Sequence, residues 1–178
     1  MYNIDIIGVK FINRNQFGDF YWMVNQKEYS DSLFIFNDNE EYHNTCKMGA
    51  GNACMRIFNK HSKMEIPRSA GIPTGTLKYG GYNELTNHVS NVIESSIETI
   101  RELIQAHKYK RLYYSSELDG LIGTSIFEVD LQVRKYITKC IFNLSDKPIQ
   151  IVKILPNNLF DGYDQNDQND DSDSDSDN

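Results

Sequence analysis

LFIFNDNEEYHNTCKMGAGNACMRIFNK, residues 33–60, holds a short apolar run, a polar turn, a glycine loop and an amphipathic segment in succession. Leu33, Phe34, Ile35 and Phe36 are too few for a helix and rich in β-formers, which predicts a buried strand. Asn37-Asp38-Asn39 ends it with residues that bond their own backbone in turns. Gly49-Ala50-Gly51 then leads into a predicted helix over about 50–60, with Ala50, Ala53, Cys54, Ile57 and Phe58 on one face of a 3.6-residue period. A strand, a glycine loop and a helix start in this order can hold an anion, because the first helical amides are unpaired and point outward.

Working outward, residues 3–12 (NIDIIGVKFI) and 19–24 (DFYWMV) read as two strands joined by a hairpin turn at Asn13-Arg14-Asn15-Gln16. Residues 70–75 (AGIPTG) read as a short strand entering a turn. From Asn83, the apolar positions Leu85, Val89, Val92, Ile93, Ile97, Ile100, Leu103 and Ile104 predict a helix of about 20 residues, capped by Asn83 or Thr86. Residues 111–115 (RLYYS) form the next predicted strand. A last helix is expected to start near Ser125 or Ile126, with Ile126, Val129, Val133, Ile137, Cys140, Ile141 and Leu144 on its apolar face. Residues 149–155 (IQIVKIL) complete the pattern as a strand. Helices alternating with short apolar strands argue for a mixed sheet with helices on its faces, here a three-layer α/β/α domain over residues 1–160.

The chain has 178 residues, which suits one domain with one substantial core. Its net charge of −7 is unevenly placed: residues 161–178 hold eight Asp and no Lys or Arg, leaving 17 acidic against 18 basic side chains before them. The body therefore has no strong electrostatic claim on nucleic acid or membrane. The tail, DGYDQNDQNDDSDSDSDN, is too polar to offset its ordering entropy and is expected to be disordered, serving as a solubilising tail or an arm for a basic partner. Cys46, Cys54 and Cys140 show no metal-ligand spacing, so reduced thiols and no metal site are expected. No bound cofactor is expected either. The first residues lack the pattern of a secretory signal, and no stretch approaches 18 apolar residues. These features predict a soluble, cytoplasmic protein that neither crosses nor binds a membrane. The 18 Asn and 19 Ile against four Ala suit an AT-rich genome, such as that of a virus or a low-GC bacterium.

Two loops carry the chemistry, residues 37–52 and 115–127 (SSELDGLIGTSIF). Both are predicted to lie beyond the carboxyl ends of strands, where open α/β sheets bind ligands. Gly120 and Gly123 allow tight turns, while Thr124 and Ser125 offer hydroxyl and amide donors. A diphosphate held between two such loops needs no basic side chain. Neither loop matches the P-loop or the dinucleotide fingerprint, and taken alone each is also consistent with plain turn chemistry.

The run LFIFNDNEEYH…GAGNACMRIFNK, then GIPTG, then LIGTSIFEVDLQVRKYI resembles the macro domain superfamily, most closely its divergent phage and bacterial branch. The similarity spans roughly residues 30–145, with all three blocks in order. It implies binding of ADP-ribose, free or attached to a protein or nucleic acid, and in some members its hydrolytic removal. By that resemblance Asn37 and Asn39 approach the terminal ribose, and Gly49, Ala50 and Gly51 pack on the diphosphate. Gly123, Thr124, Ser125, Ile126 and Phe127 form the second phosphate loop, with the aromatic ring covering the terminal ribose. Ser125 stands where the family commonly has glycine. The adenine-reading aspartate has three candidates, Asp5, Asp19 and Asp38.

Hydrolysis at the ribose anomeric carbon needs an activated water. Asp38 is the expected general base, with Asn39 orienting the ribose and Glu40 and Glu41 as further candidates. A turn role for Asp38, bonding nearby amides, is the competing reading. Of Phe20, Tyr21 and Trp22, any could stack on adenine, though a core strand is expected to bury at least two. The alternative to a binder or hydrolase is a non-enzymatic viral or phage accessory protein that uses the fold as a scaffold.

Overall fold

The computed structural model describes residues 2–148 and 150–152. Its strands are β1 (Asp5–Val9), β2 (Ser32–Asn39), β3 (Ser69–Thr76), β4 (Gly80–Gly81), β5 (Arg111–Ser115) and β6 (Gln150–Val152). Its α-helices are α1 (Phe20–Met23), α2 (Asn87–Ala106) and α3 (Leu131–Phe142), with 3₁₀ segments at Lys27–Tyr29 and Gly51–Phe58. The strands form one mixed sheet in the order β4-β3-β2-β5-β1-β6. All neighbours pair in parallel except β3 and β4. The carboxyl ends of β1, β2, β3 and β5 therefore share one edge of the sheet. The 161–178 tail lies outside the described residues, as does the predicted strand beyond Val152.

The apolar run decides the sheet. Leu33, Phe34, Ile35 and Phe36 are all fully buried, which a parallel strand covered on both faces requires. Period-two alternation sorts β1, β2 and β5 between two clusters. Ile4, Ile6, Leu33, Ile35, Leu112 and Tyr114 face α2 and α3. Ile7, Val9, Phe34, Phe36 and Tyr113 face α1 and the 3₁₀ segments through Phe20, Met23, Tyr29 and Met55. On this second face Phe34 stacks on Tyr113 at 5.5 Å between ring centroids. Helix α2 starts where Thr86 caps it, its Oγ1 accepting from the Val89 amide.

Three local expectations are overturned. DFYWMV is helix α1, not a strand. Asp19 Oδ1 accepts from the amides of Tyr21 and Trp22, and Phe20, Met23 and Val24 are buried at helical spacing. A cap and three core contacts outweigh the β propensity of the aromatic residues. The hairpin at Asn13–Gln16 consequently does not form, and β1 pairs with β5 and β6 instead. The segment after Gly49-Ala50-Gly51 winds as a 3₁₀ helix, whose tighter pitch buries Met55 and Arg56 rather than the face expected for an α-helix. The last helix begins at Leu131, capped by Asp130, so Ser125 and Ile126 lie before it in the loop. Ser125 has φ +55°, a left-handed conformation that no helix can include.

At the opposite edge of the sheet, Asp31 pairs with Arg111 at 2.6 Å and Lys110 at 3.4 Å. Burial opposes its charge, but the Arg111 hydrogen bond and charge, then those of Lys110, hold its carboxyl below the usual range. A depressed folded-state pKa contributes stability that is fully present above the unfolded value, about 3.9, and is lost as pH falls through the folded value. Asp31→Asn is expected to cost stability at pH 7 and to converge on wild type only once pH has fallen below the depressed folded value, as at about pH 1–2. Urea unfolding at both pH values measures this, and an equal difference at both would contradict it.

Candidate functional site

The loops following β1, β2 and β5 meet at the carboxyl edge of the sheet and enclose two adjoining cavities. The smaller, of about 330 Å³, is lined by Asn37, Asp38 and Asn39, by Gly49, Ala50 and Gly51, and by Ser125, Ile126 and Phe127. Segments some 75 residues apart in the chain thus share one wall. The larger cavity, of about 730 Å³, is reached from the β1 loop and α1 through Lys10, Phe11, Arg14, Asp19 and Tyr21, and Gly123 lies on its β5 side. Met48, Gly51, Asn52 and Ser125 line both cavities and form the ridge between them. Thr124 does not line either cavity, although its carbonyl accepts from the Phe127 amide at 3.1 Å and closes the loop.

The ridge is made of backbone. Gly51 takes φ +57° and Ser125 φ +55°. A Cβ on Gly51 would lie 3.7 Å from Ser125 Oγ, so the two loops approach closely without locking together. The amides of Ala50, Gly51, Thr124, Ser125 and Ile126 donate to no group among the described residues. Free amides at a ridge between two ligand-sized spaces are suited to an anion. A non-glycine residue held in the left-handed region is strained, and such strain gathers at ligand sites.

Below the ridge, Asn52 ties two strands together. Its Nδ2 donates to Asn37 Oδ1 at 2.5 Å and to Ser115 Oγ at 3.3 Å, joining the carboxyl ends of β2 and β5. Asn39 Oδ1 accepts from the Tyr42 amide at 3.0 Å, shaping the turn and leaving its NH₂ without a partner among the described residues.

Asp38 is buried, and its carboxylate is held by Arg56. Nε donates to Oδ2 at 2.8 Å and to Oδ1 at 3.0 Å, and Nη2 donates to Oδ1 as well. The side chains of Arg56 and Asp38 are 3% and 1% exposed. The Asn39 amide adds a third donor at 2.7 Å, and Arg56 Nη1 donates to the Lys47 carbonyl at 3.2 Å. Gly71 makes room for this pair: a Cβ there would sit 2.9 Å from Asp38 Oδ2. Lys47 extends over the Tyr42 ring at 4.3 Å, at the edge of the smaller cavity.

The other carboxylates expected at the site have structural partners. Glu40 accepts from Tyr82 Oη at 2.7 Å and contacts His88 at 2.8 Å, and Glu41 accepts from the Leu77 amide. Burial first, and then this bond to Glu40, raise the Tyr82 pKa and keep its phenol a donor. Of the candidate adenine readers, Asp5 pairs with Lys147 and Asp19 caps α1, but only Asp19 lines the larger cavity. Phe20 is core, Trp22 packs against the core, and Tyr21 is 41% exposed in the larger cavity beside Phe11 at 49%.

Sequence reasoning did not anticipate Arg56, Asn52, Phe11 or Arg14. A signal existed only for Arg56, a lone cation inside the apolar run ACMRIF. Among the described residues no three His, Cys, Asp or Glu side chains group as a metal site, the three cysteines are free, and no helix is long and apolar enough to cross a membrane.

The fold and cleft define a mixed α/β protein with a two-compartment cleft at the carboxyl edge of its sheet. Comparison with models of protein families, with curated proteins and with solved structures gives no match to this chain.

Proposed function

We propose that the chain is a three-layer, macro-like domain that binds ADP-ribose or a closely related nucleoside diphosphate sugar. The observation that carries this reading is the ridge. Gly51 and Ser125, from the two loops whose sequences resemble the macro diphosphate loops, offer free amides between a larger and a smaller cavity. A diphosphate lying across it places one sugar in the smaller cavity near Asn37, Asn39 and Phe127. The base then falls in the larger cavity, where Phe11 and Tyr21 offer faces and Asp19 a carboxylate.

Binding fits this geometry better than hydrolysis. A general base must reach the attacking water. Asp38 instead spends its oxygens on Arg56 and the Asn39 amide, in a nearly solvent-free position. Its role in this reading is to hold the floor of the smaller cavity. Calorimetry with ADP-ribose, AMP and NAD tests the proposal. ADP-ribose should bind more tightly than AMP, because AMP lacks the bridging diphosphate and the second sugar. Absence of heat with ADP-ribose at millimolar concentration would refute it.

A further inference from the structure

Strand β6 runs parallel to β1, with Val152 in register with Val9. The chain therefore leaves the described fold beside Lys10, which follows β1 and lines the larger cavity. Twenty-six residues come after Val152, and the eight Asp of 161–178 stand among them. Val152 and Tyr163 are eleven residues apart, a span of about 36 Å when extended. That length is ample to cross a cavity of about 730 Å³ that begins at the end of the neighbouring strand.

The cleft suits the charge this segment carries. Of the carboxylates lining the larger cavity, Glu117 pairs with Lys10 at 2.9 Å, and Asp19 accepts from the amides of Asn15, Tyr21 and Trp22. Asp38, in the smaller cavity, is held by Arg56. Arg14 in one cavity and Lys47 in the other have no carboxylate partner among the described residues. The charges left uncompensated in the cleft are thus positive, and the ridge between them offers free amides.

The tail matches the cleft in a second respect. Asp161-Gly162-Tyr163-Asp164 carries one aromatic ring between two carboxylates, and Tyr163 is the only aromatic residue of 161–178. In the larger cavity Phe11 and Tyr21 are half-exposed and offer faces on which a ring can stack. An aromatic ring joined to anions is also the chemistry of a base joined to a diphosphate.

We propose that residues 161–164 occupy the larger cavity of their own chain, with Tyr163 against Phe11 and Tyr21 and a flanking aspartate on the ridge amides. An anionic ligand then has to displace them. The inference goes beyond the nucleotide reading, since the contact exists with no ligand present. The tether makes even a weak contact count. A competitor held at about 2 mM effective concentration, with an affinity of about 1 mM, weakens a competing ligand about threefold.

The test compares three full-length proteins: wild type, Tyr163→Ser, and a variant with all eight aspartates of 161–178 replaced by asparagine. Without ligand, the amide NMR resonances of Arg14, Gly51 and Ser125 should differ between wild type and both variants, while those of Asp31 and Lys110 at the opposite edge stay in place. In calorimetry at low salt, both variants should bind ADP-ribose at least about threefold more tightly than wild type. A Tyr163→Ser protein that matches wild type in affinity and in these resonances overturns the proposal. It does so even if the asparagine variant binds more tightly, because repulsion between the tail and an anionic ligand needs no contact. Resonance differences that grow with protein concentration place the tail on a second copy and overturn the contact within one chain. If ADP-ribose binds none of the three proteins, the nucleotide reading fails, and the ligand-free resonances still decide the tail.

Discussion

Asp38→Ala is expected to remove about 3–5 kcal/mol of folding stability, since it leaves the Arg56 guanidinium buried without its partner. Arg56→Ala should cost a similar amount for the converse reason. Domains of this size are stable by only about 5–15 kcal/mol, so either change removes a large share. The double variant Asp38→Leu/Arg56→Met should recover much of the loss, because apolar replacement of a buried pair is often nearly neutral. Urea unfolding of the wild type, both alanine variants and the double variant closes the cycle. A loss under about 1 kcal/mol in either alanine variant would show that the pair is not the structural unit described.

This bears on any test of catalysis. If Asp38 were the general base, Asp38→Ala would abolish turnover, but the same variant disturbs the floor of the smaller cavity. Asp38→Asn is the milder change: the amide oxygen at the Oδ1 position still accepts from Arg56 and the basicity is gone. Its NH₂ now faces Arg56 Nε and the guanidinium loses its counter-charge, so unfolding is measured beside turnover. Retained ADP-ribose binding with lost turnover would assign a base. Retained binding with no turnover in either protein fits a binder.

How much of this was legible in the sequence varied with the range of the forces involved. Leu33–Phe36 announced a doubly buried strand because four consecutive apolar residues have few other places to go. Arg111–Ser115 and the Thr86-capped helix α2 were equally plain, since their signals are local. DFYWMV misled because its composition favours a strand while its burial follows Phe20, Met23 and Val24. The deciding element was the Asp19 cap, a single side chain. Of the two loops paired by the resemblance, Gly49–Gly51 and Ser125–Phe127 line one cavity, while Gly123 lines the neighbouring one and Thr124 neither. What stayed hidden was the ion pair beneath them. Asp38 reads as a turn carboxylate and Arg56 as part of an amphipathic helix until the 3₁₀ winding turns that guanidinium inward. No periodicity links residues 18 apart through a strand, a loop and a change of helical pitch.

Gly51→Glu is expected to weaken ADP-ribose binding by at least about 100-fold, which corresponds to roughly 2.8 kcal/mol. Space is not the obstacle, since the nearest atom to an added Cβ is Ser125 Oγ at 3.7 Å. Two other effects act together. The left-handed φ of +57° becomes strained by about 1–2 kcal/mol for a residue with a Cβ, which tilts the amide away from the ridge. The new carboxylate also stands where the diphosphate would lie, and like charges at close range repel strongly in a partly desolvated cleft. Gly51→Ala separates the contributions, because it carries the backbone strain without the charge and should lose less. Ser125→Gly runs in the opposite direction. Ser125 already holds a glycine-like φ of +55°, so glycine relieves strain and clears side-chain volume from the ridge. Its greater freedom in the unfolded chain offsets much of the gain in stability, so the change should appear mainly as tighter binding. Calorimetric titration of the three variants orders them as Ser125→Gly, wild type, Gly51→Ala and Gly51→Glu from tightest to weakest. A Gly51→Glu protein that folds and binds like wild type would mean that the ligand does not cross this ridge, and the two loops would then meet for structural reasons alone.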